Sequence, residues 1–180
     1  MTLEEYEKSG YKPYARLAAT ISAILDAAIG KQPEIRLQQL QHRGKDPASL
    51  RTKLTDRGIN DPPDLAKAVK DLAGCRAVFY TNTDARAFEQ SGIIRDNFEI
   101  DWERTKRHHP VTADAAPFIS INLVIRLKDD RTALPEYADL VGLWCELQIQ
   151  TTLNHAWSEM EHDMVYKMPR VEGFGDRAME

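Results

Sequence analysis

Three polar residues that could do chemistry lie in the segment 144–151, where polar and apolar residues alternate. Alternation at period two is typical of a β-strand, so Glu146, Gln148 and Gln150 share one face of the predicted sheet, and the other face is apolar. A carboxylate followed by two amides on one face could hold a metal ion or a polar ligand. The same pattern is typical of a solvated sheet face, so the pattern alone leaves both interpretations open.

The densest basic cluster consists of Arg43, Lys45, Arg51 and Lys53. Lys45, Ser49 and Lys53 are spaced by four, so they lie along one face where the segment is helical. Basic side chains beside the free amides of a helix N-terminus suit a polyphosphate, because ammonium and guanidinium groups both pair with phosphate oxygens. An ordinary basic helix face is the alternative.

A carboxylate and an arginine mark the entry to another predicted strand. Asp71 comes just before the apolar run 75–80, and Arg76 lies within that run. Asp71 and Glu146, on two strands, could jointly hold Mg²⁺, a hard cation that takes a few carboxylates together with phosphate oxygens. A simple ion pair between Asp71 and a nearby lysine is the alternative.

The histidines give a weaker signal. His108 and His109 lie in a polar segment that we expect to be exposed, whereas His155, Glu159 and His162 are spaced at i, i+4 and i+7. Histidines seven residues apart are about 10 Å apart along a helix axis, so we do not expect one metal ion to bind both. The sequence has no phosphate-binding glycine loop, dinucleotide fingerprint or serine-nucleophile elbow.

Helices and strands alternate along the chain and must position these residues. Helical spacing predicts helices over 3–30, 46–58, 65–72 and 83–94, with a further helix from Leu153. Asp46 and Asp64 are predicted helix caps, and Gly74 is predicted to end the third helix. Strand-forming or alternating residues predict strands over 35–41, 75–80, 98–107, 118–127 and 144–151. This order predicts an α+β or α/β domain, a mixed sheet flanked by helices.

The totals favour one globular domain. The 180 residues suffice for a single core, and the charged fraction of 29% is ordinary for a globular protein. A net charge of −4 argues against general nucleic-acid binding. No apolar run is long enough to span a bilayer and the acidic N-terminus lacks a secretion signal, so we expect a cytoplasmic protein with no membrane partner. Cys75 and Cys145 are expected to be buried thiols.

Several of these segments, taken together, resemble the synthetase domain of the RelA/SpoT family, the (p)ppGpp synthetases. The matching segments are His42-Arg43-Gly44-Lys45 with Ser49 and Lys53, Asp71-Leu72-Ala73-Gly74-Cys75-Arg76, Glu146-Leu147-Gln148-Ile149-Gln150-Thr151, and Ala156-Trp157 followed by Glu161-His162 and Tyr166-Lys167. They occur in the family's order. The resemblance implies that residues 1–180 form a single nucleotide pyrophosphokinase domain with a nucleotidyltransferase-like fold, whose motifs lie in residues 35–168.

The resemblance implies transfer of pyrophosphate from ATP to the 3′-hydroxyl of GDP or GTP, with Mg²⁺ as cofactor. The residues implied to bind the ATP phosphates are Arg43, Lys45, Ser49, Lys53 and Arg76. Asp71 and Glu146 are implied to be catalytic and to hold the metal, Glu146 either as a ligand or as the base that activates the attacking hydroxyl. The residues implied to bind the acceptor are Phe118, Asn122, Gln148 and His162. Assembly into a homo-oligomer is compatible with this type of domain.

Three positions depart from the family pattern. The family's acceptor loop usually reads Gly-Tyr-x-Ser-x-His, whereas this chain has Phe118 for the tyrosine and Asn122 for the histidine, and Gln150 stands where the family has arginine. Phe118 retains a ring that can stack on a base. Two alternatives therefore stay open: a toxin-type relative that uses tRNA or an adenine nucleotide as acceptor, and a degenerate domain that binds a nucleotide or a partner protein without turnover.

Overall fold

One mixed sheet organises the chain. The computed structural model describes residues 1–59, 62, 64–108 and 120–156. The strands are β1 (Leu37–Gly44), β2 (Ala73–Phe79), β3 (Phe98–His108), β4 (Ser120–Leu127) and β5 (Cys145–Thr151). They pair in the order β1-β2-β5-β4-β3, with β2 and β5 parallel and the other neighbours antiparallel. The predicted α+β class, a mixed sheet flanked by helices, is confirmed.

The helices connect these strands. Helix α1 (Leu3–Glu5), a π-helical segment (Tyr6–Gly10) and α2 (Tyr11–Ile29) follow one another, as predicted for residues 3–30. The later helices are α3 (Pro47–Asp56), α4 (Leu65–Ala68), α5 (Asn82–Gln90), α6 (Ile93–Asn97), α7 (Asp129–Thr132) and a 3₁₀ turn (Pro135–Leu140). Residues 152–156 are also helical. Both predicted caps are confirmed, because the Asp46 carboxylate accepts from the Ser49 amide and that of Asp64 accepts from the Ala66 amide.

Several predicted boundaries are wrong. β1 runs over Leu37–Gly44 instead of 35–41, because it pairs with β2 as far as Gly44, opposite Ala73. The same pairing places Gly74 inside β2, so it does not end a helix, and α4 stops at Ala68. The helix predicted over 83–94 is two helices, because Gly92 has a left-handed φ of 85° that interrupts it. Residues 118–119 of the fourth predicted strand, and His109, lie outside the described residues.

Helix α2 covers one face of the sheet. Its buried stripe includes Leu17, Ile21 and Leu25, and the Cys75 thiol donates to the Ala18 carbonyl at 3.2 Å. The apolar residues of β5 are also buried, as the alternating pattern predicts. Because neighbouring residues of a strand point to opposite faces, the polar residues of β2 and β5 lie on the face away from α2.

Gly44 marks the closest approach between α2 and the end of β1. A Cβ atom on Gly44 would lie 2.9 Å from the Ala15 Cβ and 3.0 Å from the Tyr11 Cε2. These separations are shorter than ordinary van der Waals contacts, so a residue without a side chain is required here. Glycine thereby lets the strand carry the basic segment that follows it directly under the helix.

Two expectations from composition can be compared with this fold. Cys75 and Cys145 are both buried free thiols, as predicted. Across the described residues, none of the helices combines the length and the apolar character that crossing a membrane requires.

Candidate active site

The parallel pair of β2 and β5 brings candidate residues from two strands side by side. In its register Gly74 lies opposite Glu146, and Arg76 lies opposite Gln148. Arg76 Nε donates to Gln148 Oε1 at 3.0 Å, and Gln148 Nε2 donates to Glu146 Oε2 at 3.0 Å. The sheet thus fixes a chain of hydrogen bonds that ends on the carboxylate of Glu146.

Asp71 lies between two lysines just before β2. Its Oδ2 is 3.2 Å from Lys45 Nζ, and its Oδ1 is 2.6 Å from Lys53 Nζ. The side chains of Asp71, Lys45 and Lys53 are 18%, 13% and 26% exposed, so all three charges are largely withdrawn from water. Burial alone raises the pKa of Asp71, but the hydrogen bonds and charges of Lys53 and Lys45 outweigh it and lower the pKa. Asp71 therefore stays anionic, with two positive charges beside it.

The backbone of Lys45 is held from two sides. Its amide donates to the Leu72 carbonyl at 2.8 Å, and its carbonyl accepts from the hydroxyl of Tyr6 at 2.6 Å. Tyr6 is fully buried in the π-helical segment. The N-terminal helices therefore position the lysine, and through it the anionic side chain of Asp71.

An open cavity of about 410 Å³ joins these groups. The residues that line it include Arg43, Asp71, Arg76, Glu146 and Gln148. This volume is within the range of small-ligand sites in proteins. The cavity has cationic and anionic walls. Lys45 and Lys53 are not among the described residues that line it, but both contact Asp71, which does. Such a site suits a polyanionic ligand that arrives together with a cation.

Comparison with known protein families identifies the family of this chain. The family described as "Region found in RelA / SpoT proteins" matches residues 42–170. The chain belongs to the RelA/SpoT family. No curated protein matches the sequence significantly.

Solved structures of the RelA/SpoT type share the fold. Small alarmone synthetase 1 from Bacillus subtilis bound to AMPCPP is similar at 18% identity with a TM-score of 0.65, covering 92% of this chain and 83% of that one. The same synthetase bound to its product pppGpp is similar at 19% identity with a TM-score of 0.67, covering 92% of this chain and 84% of that one. A GTP pyrophosphokinase family protein from Streptococcus pneumoniae is similar at 20% identity with a TM-score of 0.63, covering 92% of this chain and 81% of that one. At these identities the likeness establishes the fold.

The remaining residues of the RelA/SpoT motifs that the structure describes do not line the cavity. Ser49 is exposed at the start of α3, where its hydroxyl donates to the Asp46 carboxylate at 3.0 Å, and it is not among the described residues that line the cavity. Asn122 lies on β4 directly opposite Gln148, and so on the same face as the site. Phe118 and His162 lie outside the described residues, and their implied roles stay predictions.

Gln150 is not part of a solvated sheet face. Only 7% of it is exposed, whereas Glu146 and Gln148 on the same face of β5 are partly exposed. Within the described part of the chain, the amide oxygens of Gln150 and Asn122 are buried without a hydrogen-bond partner. Two of the three departures from the family pattern therefore place neutral amide oxygens without a partner on the two strands β4 and β5.

Sequence reasoning missed two residues of this arrangement. Tyr6 lies three residues after Leu3, the first residue of α1, and no spacing in the sequence links it to Lys45. The spacing of His155 raises only the question of a shared metal ion, which it disfavours, whereas its Nδ1 lies 3.1 Å from Arg76 Nη1. The one available signal for His155 was its position in the helix that directly follows β5.

The implied Mg²⁺ can be tested against the donor set. No group of three or more potential ligand side chains that could hold a metal occurs in residues 1–59, 64–108 and 120–156. Asp71 and Glu146 nevertheless line one cavity beside cationic side chains. Since Mg²⁺ usually binds through one or two carboxylates and completes its shell with substrate phosphates and water, this pair fits a metal that arrives with a nucleotide.

Proposed function

We propose that this protein is a nucleotide pyrophosphokinase that transfers pyrophosphate from ATP to the 3′-hydroxyl of a guanine nucleotide. The observation that carries the proposal is the cavity that Arg43, Asp71 and Glu146 line together, with Lys45 and Lys53 paired to Asp71. Family membership supports it, as do the solved small alarmone synthetase structures with AMPCPP and with pppGpp. In this proposal the basic side chains bind the triphosphate. The two carboxylates bind the cation, and Glu146 also accepts the proton.

The reaction is a displacement at the β-phosphorus of ATP. The acceptor's 3′-oxygen forms a bond to that phosphorus, the bond from the phosphorus to the oxygen bridging the α- and β-phosphates breaks, and AMP leaves with that oxygen. The hydroxyl proton passes to Glu146, whose Oε2 accepts from Gln148. Arg43, Lys45 and Lys53 hold the phosphates, because phosphoryl transfer depends mostly on positioning and charge neutralisation.

Asp71 and Glu146 would hold Mg²⁺ when ATP is bound. The cation would supply neutralisation of the charge that develops on the phosphate oxygens. In the described structure both carboxylate oxygens of Asp71 are paired with lysines. When ATP and Mg²⁺ bind, the two ammonium groups would therefore turn from Asp71 to the phosphates.

An acceptor panel tests this function. Purified protein is incubated with ATP, Mg²⁺ and, separately, GDP, GTP, ADP and tRNA, and AMP is quantified. We expect AMP with GDP or GTP and none with Glu146→Gln. AMP formed only with tRNA or ADP would show that the protein uses the acceptors of the toxin-type relatives and not a guanine nucleotide. ATP binding with no AMP from any acceptor would contradict an enzymatic role.

A further inference from the structure

The helical residues that follow β5 place a histidine against the active-site arginine. His155 Nδ1 lies 3.1 Å from Arg76 Nη1, and both side chains are partly buried. The Nε of the same guanidinium donates to Gln148, which donates to Glu146. Four side chains from two strands and a helix therefore form one hydrogen-bonded series that ends at the proposed base.

The chemistry of these groups fixes the direction of every hydrogen bond. Arginine has donors and no acceptor, so Gln148 must present its oxygen to Arg76 and its amide hydrogens to Glu146. Glu146 accepts as a carboxylate. For the same reason the Nδ1 of His155 must be the accepting nitrogen of a neutral ring whose proton is on Nε2. A donor at Nδ1 would face the guanidinium hydrogens and break the contact.

We propose that His155 is a positioning residue for pyrophosphoryl transfer: its Nδ1 accepts from Arg76 and holds the guanidinium so that Gln148 orients Glu146. This inference rests on the proposed function for its effect on turnover. Without the acceptor at residue 155, the guanidinium loses one of the contacts that hold it beside Gln148. The amide of Gln148 is then oriented less firmly, and so is the Glu146 carboxylate.

Three variants separate this role from a structural one. Asparagine places its Oδ1 near the position of the histidine Nδ1, so His155→Asn keeps the acceptor, whereas His155→Leu removes it at similar volume. We expect His155→Leu to lower kcat about tenfold, the effect of one hydrogen bond to a charged group, with little change in the KM for ATP. We expect His155→Asn to stay within about threefold of the parent protein. Leu153→Ala is the matched control, because Leu153 is 80% exposed in the same helical turn.

Nuclear magnetic resonance of the full chain, labelled with ¹⁵N in its five histidines, tests the contact without any turnover. The His155 signals are identified by their loss in His155→Asn. At about pH 8, we expect an unprotonated Nδ1 and a proton on Nε2. We also expect the Nδ1 resonance to move in Arg76→Met. If the parent protein forms no AMP but shows this tautomer and this shift, the proposed function fails while the contact stands.

Other results would overturn the proposal. A proton on Nδ1, or an Nδ1 resonance that is the same in Arg76→Met, removes the contact from which it is argued. Full activity in His155→Leu, or equal losses in His155→Leu and His155→Asn with folding unchanged by circular dichroism, shows that the acceptor atom does not position the catalytic groups.

Discussion

Replacing Lys53 by methionine tests whether the charges around Asp71 are coupled as the structure shows. The 2.6 Å contact between Lys53 Nζ and Asp71 Oδ1 is largely buried, with Asp71 18% and Lys53 26% exposed. A hydrogen bond to a charged group contributes about 1.5–3 kcal/mol. Lys45 still neutralises Asp71 in the variant, and residual solvent screens the pair, so we expect a coupling free energy of about 1–2 kcal/mol.

A double-mutant cycle with Asp71→Asn measures that coupling. Chemical unfolding gives the free energy for the parent protein, each single variant and the double variant. At about 2–4 °C per kcal/mol for a protein of this size, Lys53→Met should also lower the melting temperature by about 2–8 °C. Lys31→Met, an exposed position after α2, is the control. A coupling below about 0.5 kcal/mol, the range within which independent sites add, would refute the reasoning.

The dependence of this coupling on pH has a definite sign. The lysines lower the pKa of Asp71 in the folded state, so the stability that it contributes is fully present above the ordinary aspartate pKa of about 3.9. That stability is lost as the pH falls through the lowered folded value. We therefore expect a constant coupling from neutral pH down to about pH 5 and a decline below about pH 4. A coupling that grows on acidification would contradict the assignment.

Two further predictions concern the support of the basic segment. Gly44→Val should destabilise the fold by about 1–3 kcal/mol in chemical unfolding, because its side chain collides with Ala15 and Tyr11 of α2; unchanged stability would contradict this close approach. Tyr6→Phe removes the 2.6 Å hydrogen bond to the Lys45 carbonyl and should cost about 1–2 kcal/mol and weaken ATP binding in calorimetry, whereas parent-like affinity would show that Tyr6 does not position Lys45.

Local sequence patterns predicted the parts of the fold that local physics decides. Alternation correctly gave β5 and the common face of Glu146 and Gln148, because period two follows from the geometry of a strand. Asp46 and Asp64 were recognised as caps, since their carboxylates satisfy amides within the same short segment. The boundaries of β1 were wrong because its last residues are held by pairing with β2, which is remote in sequence.

The connections inside the site depend on register and could not be read from the chain. The hydrogen bond from Arg76 to Gln148 exists because β2 and β5 are parallel with these two residues opposite each other. Spacing alone gave two alternatives for Asp71, a metal ligand or an ion pair with a lysine. The structure contains the ion pairs, and metal binding by Asp71 stays part of the proposed function. Spacing argued against a metal ion shared by His155 and His162 and predicted no other contact for His155, whose neighbour is decided by where the helix after β5 lies.

The most direct measurement follows the terminal phosphates of ATP. ATP labelled in its γ-phosphate is incubated with the protein, Mg²⁺ and GDP, and the products are separated and counted. A pyrophosphokinase transfers one label to the guanine nucleotide for each AMP that it forms. We expect Glu146→Gln to bind ATP but to transfer no label and to form no AMP. Label released as free phosphate with ADP formed, or AMP formed equally well by Glu146→Gln, would contradict the account.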